Sequence, residues 1–194
     1  MVNNYISDIL DFWFYKKLDY KKWFHSKSKH DSYITKEFSD ILKLAEKGYL
    51  LEWLTSYESY LAMIILMDQF SRHIYRDTSK AYENDTQILL FTEMGLELYL
   101  DQASASEKMF ILMPYQHSEN INDQQLGVNI LENLVKNETN PCEKNILKKT
   151  LFHQKKHYEV IKKFGRFPKR NIILDRESTE EEIDYIDEHT KYNY

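Results

Sequence analysis

YESYLAMIILMDQFSRHIYR, residues 57–76, decides how the rest of the chain is read. From Leu61 to Met67 it is apolar on every side and holds neither glycine nor proline, the pattern of a helix enclosed by other elements. The run is far too short to cross a bilayer, so it predicts the central helix of a soluble core. Stepping on from Leu61 and Ile65 by threes and fours reaches Asp68, Arg72 and Arg76. Ionisable groups therefore occupy the face that was apolar two turns earlier, and they need partners or a ligand there.

Four glycines and three prolines in 194 residues leave few residues for the tight turns of hairpins, which favours helices. Gly48, Gly95, Gly127 and Gly165 stand far apart, so the chain has no glycine loop to cradle a phosphate, and P-loop or Rossmann nucleotide binding is excluded. Ile6, Ile9, Leu10, Trp13 and Phe14 predict a helix over residues 4–16, followed by an ordered lysine-rich connection that holds Trp23 and Phe24. Asp31 is read as the cap of a second helix that Gly48 ends, and Thr78 as the cap of a fourth that runs to about Leu100. Helices are expected over 106–113 and 123–135; Pro141 fits the first turn of a further one, stopped by Gly165 and Pro168. Ser178 and Glu181 have the spacing of a capping box for a last helix. The expected fold is all-α: one domain over residues 1–194, a stack of antiparallel helix pairs, with the last few residues disordered.

Composition narrows the function classes. Hydrophobic residues are 42% and charged residues 29%, an ordinary globular mix, and the net charge of −5 argues against a nucleic-acid binder. Neither a nucleic-acid nor a membrane partner is expected. The lone Cys142 cannot form an internal disulfide, and no N-terminal stretch couples a basic flank to an apolar run, so a reducing cytoplasm is the expected home.

The chemistry gathers in three places. In MPYQHSENINDQQ, residues 113–125, an apolar run stops at a proline and a dense set of hydrogen-bonding groups follows, with His117 and Glu119 as the candidate catalytic, proton-transferring pair. HSE at 117–119 with Pro141-Cys142 imitates half of a zinc deaminase signature, but the second cysteine is missing. His153 and His157, one helical turn apart, lack a third ligand and read as one solvated and one core-facing histidine. No metal and no cofactor is implied. Asp68, Gln69, Arg72 and Arg76 form the second place. Arg166 and Arg170, which flank a proline-fixed turn, and Asn171 after them form the third. The four arginines either grip the carboxylate or phosphate of a small anionic ligand or bind the protein's own carboxylates, Asp68, Asp85, Glu119 and Asp11. In the first case a polar cleft holds the ligand, His157 joins the binding residues, His117 moves a proton and Glu119 orients it or acts as a second base. In the second the chain is a non-catalytic scaffold whose helices present grooves to peptides or partner proteins.

ILDFWF, Trp23-Phe24, AEKG at 45–48, LAMIILMDQFSRHIYR, AYEND at 81–85, PYQHSENINDQ and HYEVIKKFGRFPKRNIILDRESTEEE occur in that order over nearly the whole chain. Together they resemble the bacterial domain-of-unknown-function 924 family, most specifically in DQFxRxxYR, HSE and FGRFPxRN. The resemblance implies an all-helical, tetratricopeptide-like right-handed stack and no established biochemical role. It places Asp68, Gln69, Arg72, Arg76, Asp85, His117, Ser118, Glu119, Gln124, His157, Arg166, Arg170 and Asn171 at motif positions. Two departures stand out. Leu174-Asp175-Arg176 replaces the usual LGR, so a turn needing glycine is expected to be reshaped, and Lys169 stands where a histidine is common.

Overall fold

The computed structural model describes residues 2–15 and 28–190. The expected connection through Trp23 and Phe24 and the expected disorder of the last residues lie outside them. Every regular element among the described residues is helical, and the longest helices are too polar to cross a membrane. The chain divides into two compact units, Met1–Arg76 with Lys80–Pro114, and Asp77–Ser79 with Tyr115–Tyr194.

In the first unit the all-round apolar run is the buried centre. α1 (Val2–Leu10) continues into a π-helical turn, Asp11–Tyr15, and α2 spans Ser28–Glu46. α3 (Tyr57–Ile64) runs through a second π turn, Ile65–Phe70, into α4 (Ser71–Ile74). Every residue from Ser59 to Ser71 is buried. α5 (Asp85–Tyr99) and α6 (Ala105–Ile111) complete the surround: α1, α5 and α6 pack on α3, and α2 packs on the π turn and α4. Trp13 is wedged between Phe70 and Phe110, with ring centroids 5.5 and 5.4 Å away. Gly95 of α5 lets the buried Tyr60 ring lie directly on the helix backbone.

Two cap assignments change in this unit. α2 starts before Asp31, which sits in its first turn and gives its carboxylate to His73 of α4 and to Arg76 just beyond it. After Thr78 comes a 3-10 turn, Ser79–Tyr82, and α5 begins only at Asp85.

The second unit is built on a long helix pair. α7 (Met113–His117), whose residues from Tyr115 on belong to this unit, is a single turn between the helices expected over 106–113 and 123–135; α8 spans Ile121–Asn137 and α9 spans Pro141–Phe164. Asn140 caps α9 by accepting from the Cys142 and Glu143 amides, and Gly165 ends it with φ 70°. α8 and α9 approach closely at Gly127, where a Cβ would stand 2.9 Å from Tyr115 Cβ and 3.0 Å from the Gln154 amide. A 3-10 turn, Pro168–Arg170, leads to α10 (Glu180–Thr190). The capping box of α10 lies one residue later than its expected place: Thr179 Oγ1 accepts from the Glu182 amide at 3.2 Å, and Glu182 Oε2 accepts from the Thr179 amide at 2.8 Å.

Candidate functional site

Each polar group read from the sequence is assembled inside one unit. In the first unit, Asp68 is 1% exposed on the second π turn. Its carboxylate accepts from Gln69 Nε2 at 2.6 Å and from Arg72 Nη2 at 3.3 Å. Arg72 also donates to Asp85 Oδ1 at 2.7 Å and to the Ala81 carbonyl at 3.1 Å. Burial opposes the charge of Arg72, but Asp68 and Asp85 outweigh it and raise its pKa. Arg76, one turn on, instead makes a two-pronged contact with Asp31, at 2.7 and 2.8 Å, and His73 Nδ1 lies 2.6 Å from the same carboxylate. Burial disfavours the charge of Asp31, yet the bonds from Arg76 and His73 hold its carboxyl below the usual range. Burial likewise pulls His73 down, beyond what Asp31 restores.

In the second unit the HSE loop is an anchor. Glu119 accepts from Arg176 Nη1 at 2.7 Å, from Arg176 Nη2 at 3.0 Å and from the Phe167 amide at 2.8 Å. Burial works against its charge, and the Arg176 and Phe167 bonds overcome this, so the carboxyl is held low. Arg170 donates to the His117 carbonyl at 3.0 Å and stacks on the Phe167 ring at 4.6 Å. Arg166 forks onto Glu182 at 2.7 and 2.8 Å, and Asn171, 1% exposed, donates to Ser178 and to Glu182. Hydrogen bonds from Arg166, joined by the Thr179 amide and Asn171, hold the Glu182 carboxyl at about 2 against the opposing effect of burial.

A chain of amides runs beneath this loop. Gln154 donates to Gln124 Oε1 at 2.7 Å; Gln124 donates to the Gln116 and Ser118 carbonyls at 2.9 and 2.8 Å. Both glutamines are fully buried. His157 Nδ1 lies 2.9 Å from the same Gln116 carbonyl, and burial pulls its pKa down while that bond resists. His153, one turn earlier, is exposed as expected, whereas His157 is part-buried and lines a groove instead of facing the core. Among the described residues no three His, Cys, Asp or Glu side chains gather as metal ligands.

The outer face of α9 carries an open groove of about 700 Å³. Its basic lining is Lys155, Lys156, Lys163 and Lys169, against Glu159 as the one acid. Its apolar lining includes Phe152, Phe164 and Tyr185, and His157 also reaches it. Lys155 pairs with Glu132 and Lys163 with Glu181, both half-exposed contacts that are weak in water.

The sequence grouped Asp68, Gln69, Arg72 and Arg76, of which the first three share one hydrogen-bond network while Arg76 meets Asp31; Glu119, Arg170, His157 and the His117 carbonyl lie around the HSE loop. It missed Asp31, His73, Arg176 and Glu182 as arginine or histidine partners, and it missed the lysine groove. Glu182 hides in an acidic run that reads as solvated; the one available signal was its position three residues after Thr179. Lys155, Lys156 and Lys163 belong to α9, a basic pattern visible in sequence but shared with any solvated helix, and Lys169 joins them from the 3-10 turn.

No curated protein matches the chain. A solved structure of a protein of unknown function from Agrobacterium tumefaciens is 32% identical, covers 97% of this chain and 99% of its own, and superimposes with a TM-score of 0.84. The model of the family described as "Bacterial protein of unknown function (DUF924)" matches residues 9–190, and with the DQFxRxxYR, HSE and FGRFPxRN segments lying inside that span, the chain belongs to this family.

Proposed function

We propose that this protein binds a small organic anion, one with an apolar body and a carboxylate or phosphate head, in the groove on α9. The carrying observation is the groove's lining, four lysines against one glutamate, interleaved with three aromatic rings. Lys156 Nζ lies 4.4 Å from the Phe152 ring and Lys163 Nζ lies 4.8 Å from the Phe164 ring, so cation and apolar surface are offered side by side. The arginines named from sequence support this ligand indirectly. Arg72, Arg76 and Arg166 hold the protein's own carboxylates and Arg170 the His117 carbonyl; in this reading they, with the Arg176–Glu119 pair, keep the helices and the HSE loop in place. A thermal-shift titration with phenyl phosphate and benzoate at low ionic strength tests the proposal. The melting point of the wild type rises with ligand, and the rise is lost in Lys156→Gln with Lys169→Gln but kept in Lys80→Gln, a lysine of the other unit. No shift with either compound would remove the reading.

A second reading is a cytoplasmic scaffold in which a tetratricopeptide-like, right-handed stack of antiparallel pairs receives a peptide or protein. The observation in its favour is the exposed stripe Leu90, Met94 and Leu98 on α5, 55, 59 and 65% accessible at helical spacing. Met94→Lys weakening a pull-down with an identified partner, with ligand shifts absent, would favour it.

A further inference from the structure

We infer that His157 is the proton-accepting residue of the α9 groove, taking a proton from a bound organic anion that still carries one; this rests on the reading of the groove as an anion site. The imidazole is fixed in tautomer and direction. Nδ1 lies 2.9 Å from the Gln116 carbonyl, an oxygen that only accepts, so Nδ1 carries the hydrogen. That carbonyl is itself held, since it also accepts from the fully buried Gln124, which the fully buried Gln154 holds in turn. The Phe167 ring packs edge-on against the imidazole, with centroids 5.4 Å apart. In the neutral ring the lone pair is then on Nε2, which has no hydrogen-bond partner among the described residues and is not sealed from solvent, on a residue that lines the groove.

The charged surroundings keep that lone pair available. Burial disfavours an imidazolium more than the Gln116 bond favours it, and His153 one turn back and Arg170 from the 3-10 turn act in the same direction as burial. Lys156 and Lys169 in the groove add positive charge; Glu159 opposes them from the lining, and Glu132 and Glu181 pair with Lys155 and Lys163. A bound anion reverses this balance by adding negative charge beside the ring. The step is a proton transfer from the ligand's acidic O–H to Nε2: the monoanion becomes a dianion held by the lysines, and the imidazole becomes an imidazolium. Phosphomonoesters suit it because their second ionisation falls near pH ~6, close to that of histidine. The ligand class is thus an organic phosphomonoester, or an acid of similar strength, with an apolar substituent for the Phe152 and Phe164 surface.

The test is nitrogen-detected NMR of the imidazoles in the full chain, labelled with nitrogen-15, from about pH 5 to about pH 8, with and without phenyl phosphate. His157→Asn assigns the signal, because asparagine can still donate to the Gln116 carbonyl. Without ligand, His157 is expected in the Nδ1–H form with a midpoint below about 6.5; saturating phenyl phosphate raises that midpoint by about one unit or more. In His157→Asn, with helical content unchanged, the pH dependence of phenyl phosphate affinity flattens, which a purely structural histidine would not cause. An Nε2–H tautomer, or a midpoint unmoved while the groove lysine resonances shift on binding, would overturn the role of His157 and leave the anion site standing. Silence of both lysine and histidine resonances would overturn the anion site and this inference with it.

Discussion

Asp175 carries more than its exposure indicates. Its φ is 51°, and the Arg176 amide donates to the Asn171 carbonyl at 2.8 Å, the six-to-one bond of a helix-ending turn with Asp175 in the left-handed position. The turn that a glycine would make is therefore kept, not reshaped, because aspartate tolerates this conformation better than other side chains. It delivers Arg176 to Glu119, so a backbone angle in one segment fixes the HSE loop 57 residues away. Asp175→Val is expected to destabilise by about 1–3 kcal/mol, since a β-branched residue resists positive φ, whereas Asp175→Gly stays within about 1 kcal/mol of the wild type. Urea midpoints decide this; equal midpoints for the two variants would refute it. Arg176→Ala strands a part-buried carboxylate and is expected to cost about 1–3 kcal/mol, with most of the loss recovered when Glu119→Gln is added. Additive losses in that cycle would show that the pair is not coupled.

Among the elements, legibility followed locality. Asn140, Pro141, Gly165 and Pro168 bracket α9 through neighbours in sequence, and its limits were readable. The π turn at Ile65–Phe70 was not, because it arises where α3 is clamped on all sides and nothing in ILMDQF marks it. Ser178 and Thr179 both offered a capping hydroxyl; the choice fell to Thr179 because Glu182, not Glu181, faces Arg166. Close approach between helices makes a prediction at this scale. Gly127→Ala would press Tyr115 and the buried Gln154 amide and is expected to destabilise by about 1–3 kcal/mol, measured by thermal or urea unfolding. A stability equal to the wild type would mean that α8 and α9 can move apart at little cost.

For the whole molecule the titrating groups act in one direction. Asp31, Glu119 and Glu182 are held below their ordinary values, so the stability they contribute is full above about pH 4.5 and is lost as pH falls, for Glu182 towards about 2. His73 and His157 are also held low, so the unfolded chain takes up their protons first, and stability declines as pH drops below about 6.5. The urea midpoint should therefore fall continuously from pH ~7 to pH ~3, and Glu182→Gln should flatten the acid part of the curve. A midpoint constant over that range would contradict the burial and pairing described. By itself the sequence determined the helical class, the buried central run, the helix stops and the set of residues that would need partners, because periodicity, glycine and proline act over a few residues. Tertiary structure alone decided which carboxylate each arginine meets: Arg76 takes Asp31, 45 residues earlier, and Arg176 takes Glu119, because burial forces each cation onto whichever acid the packing brings within reach.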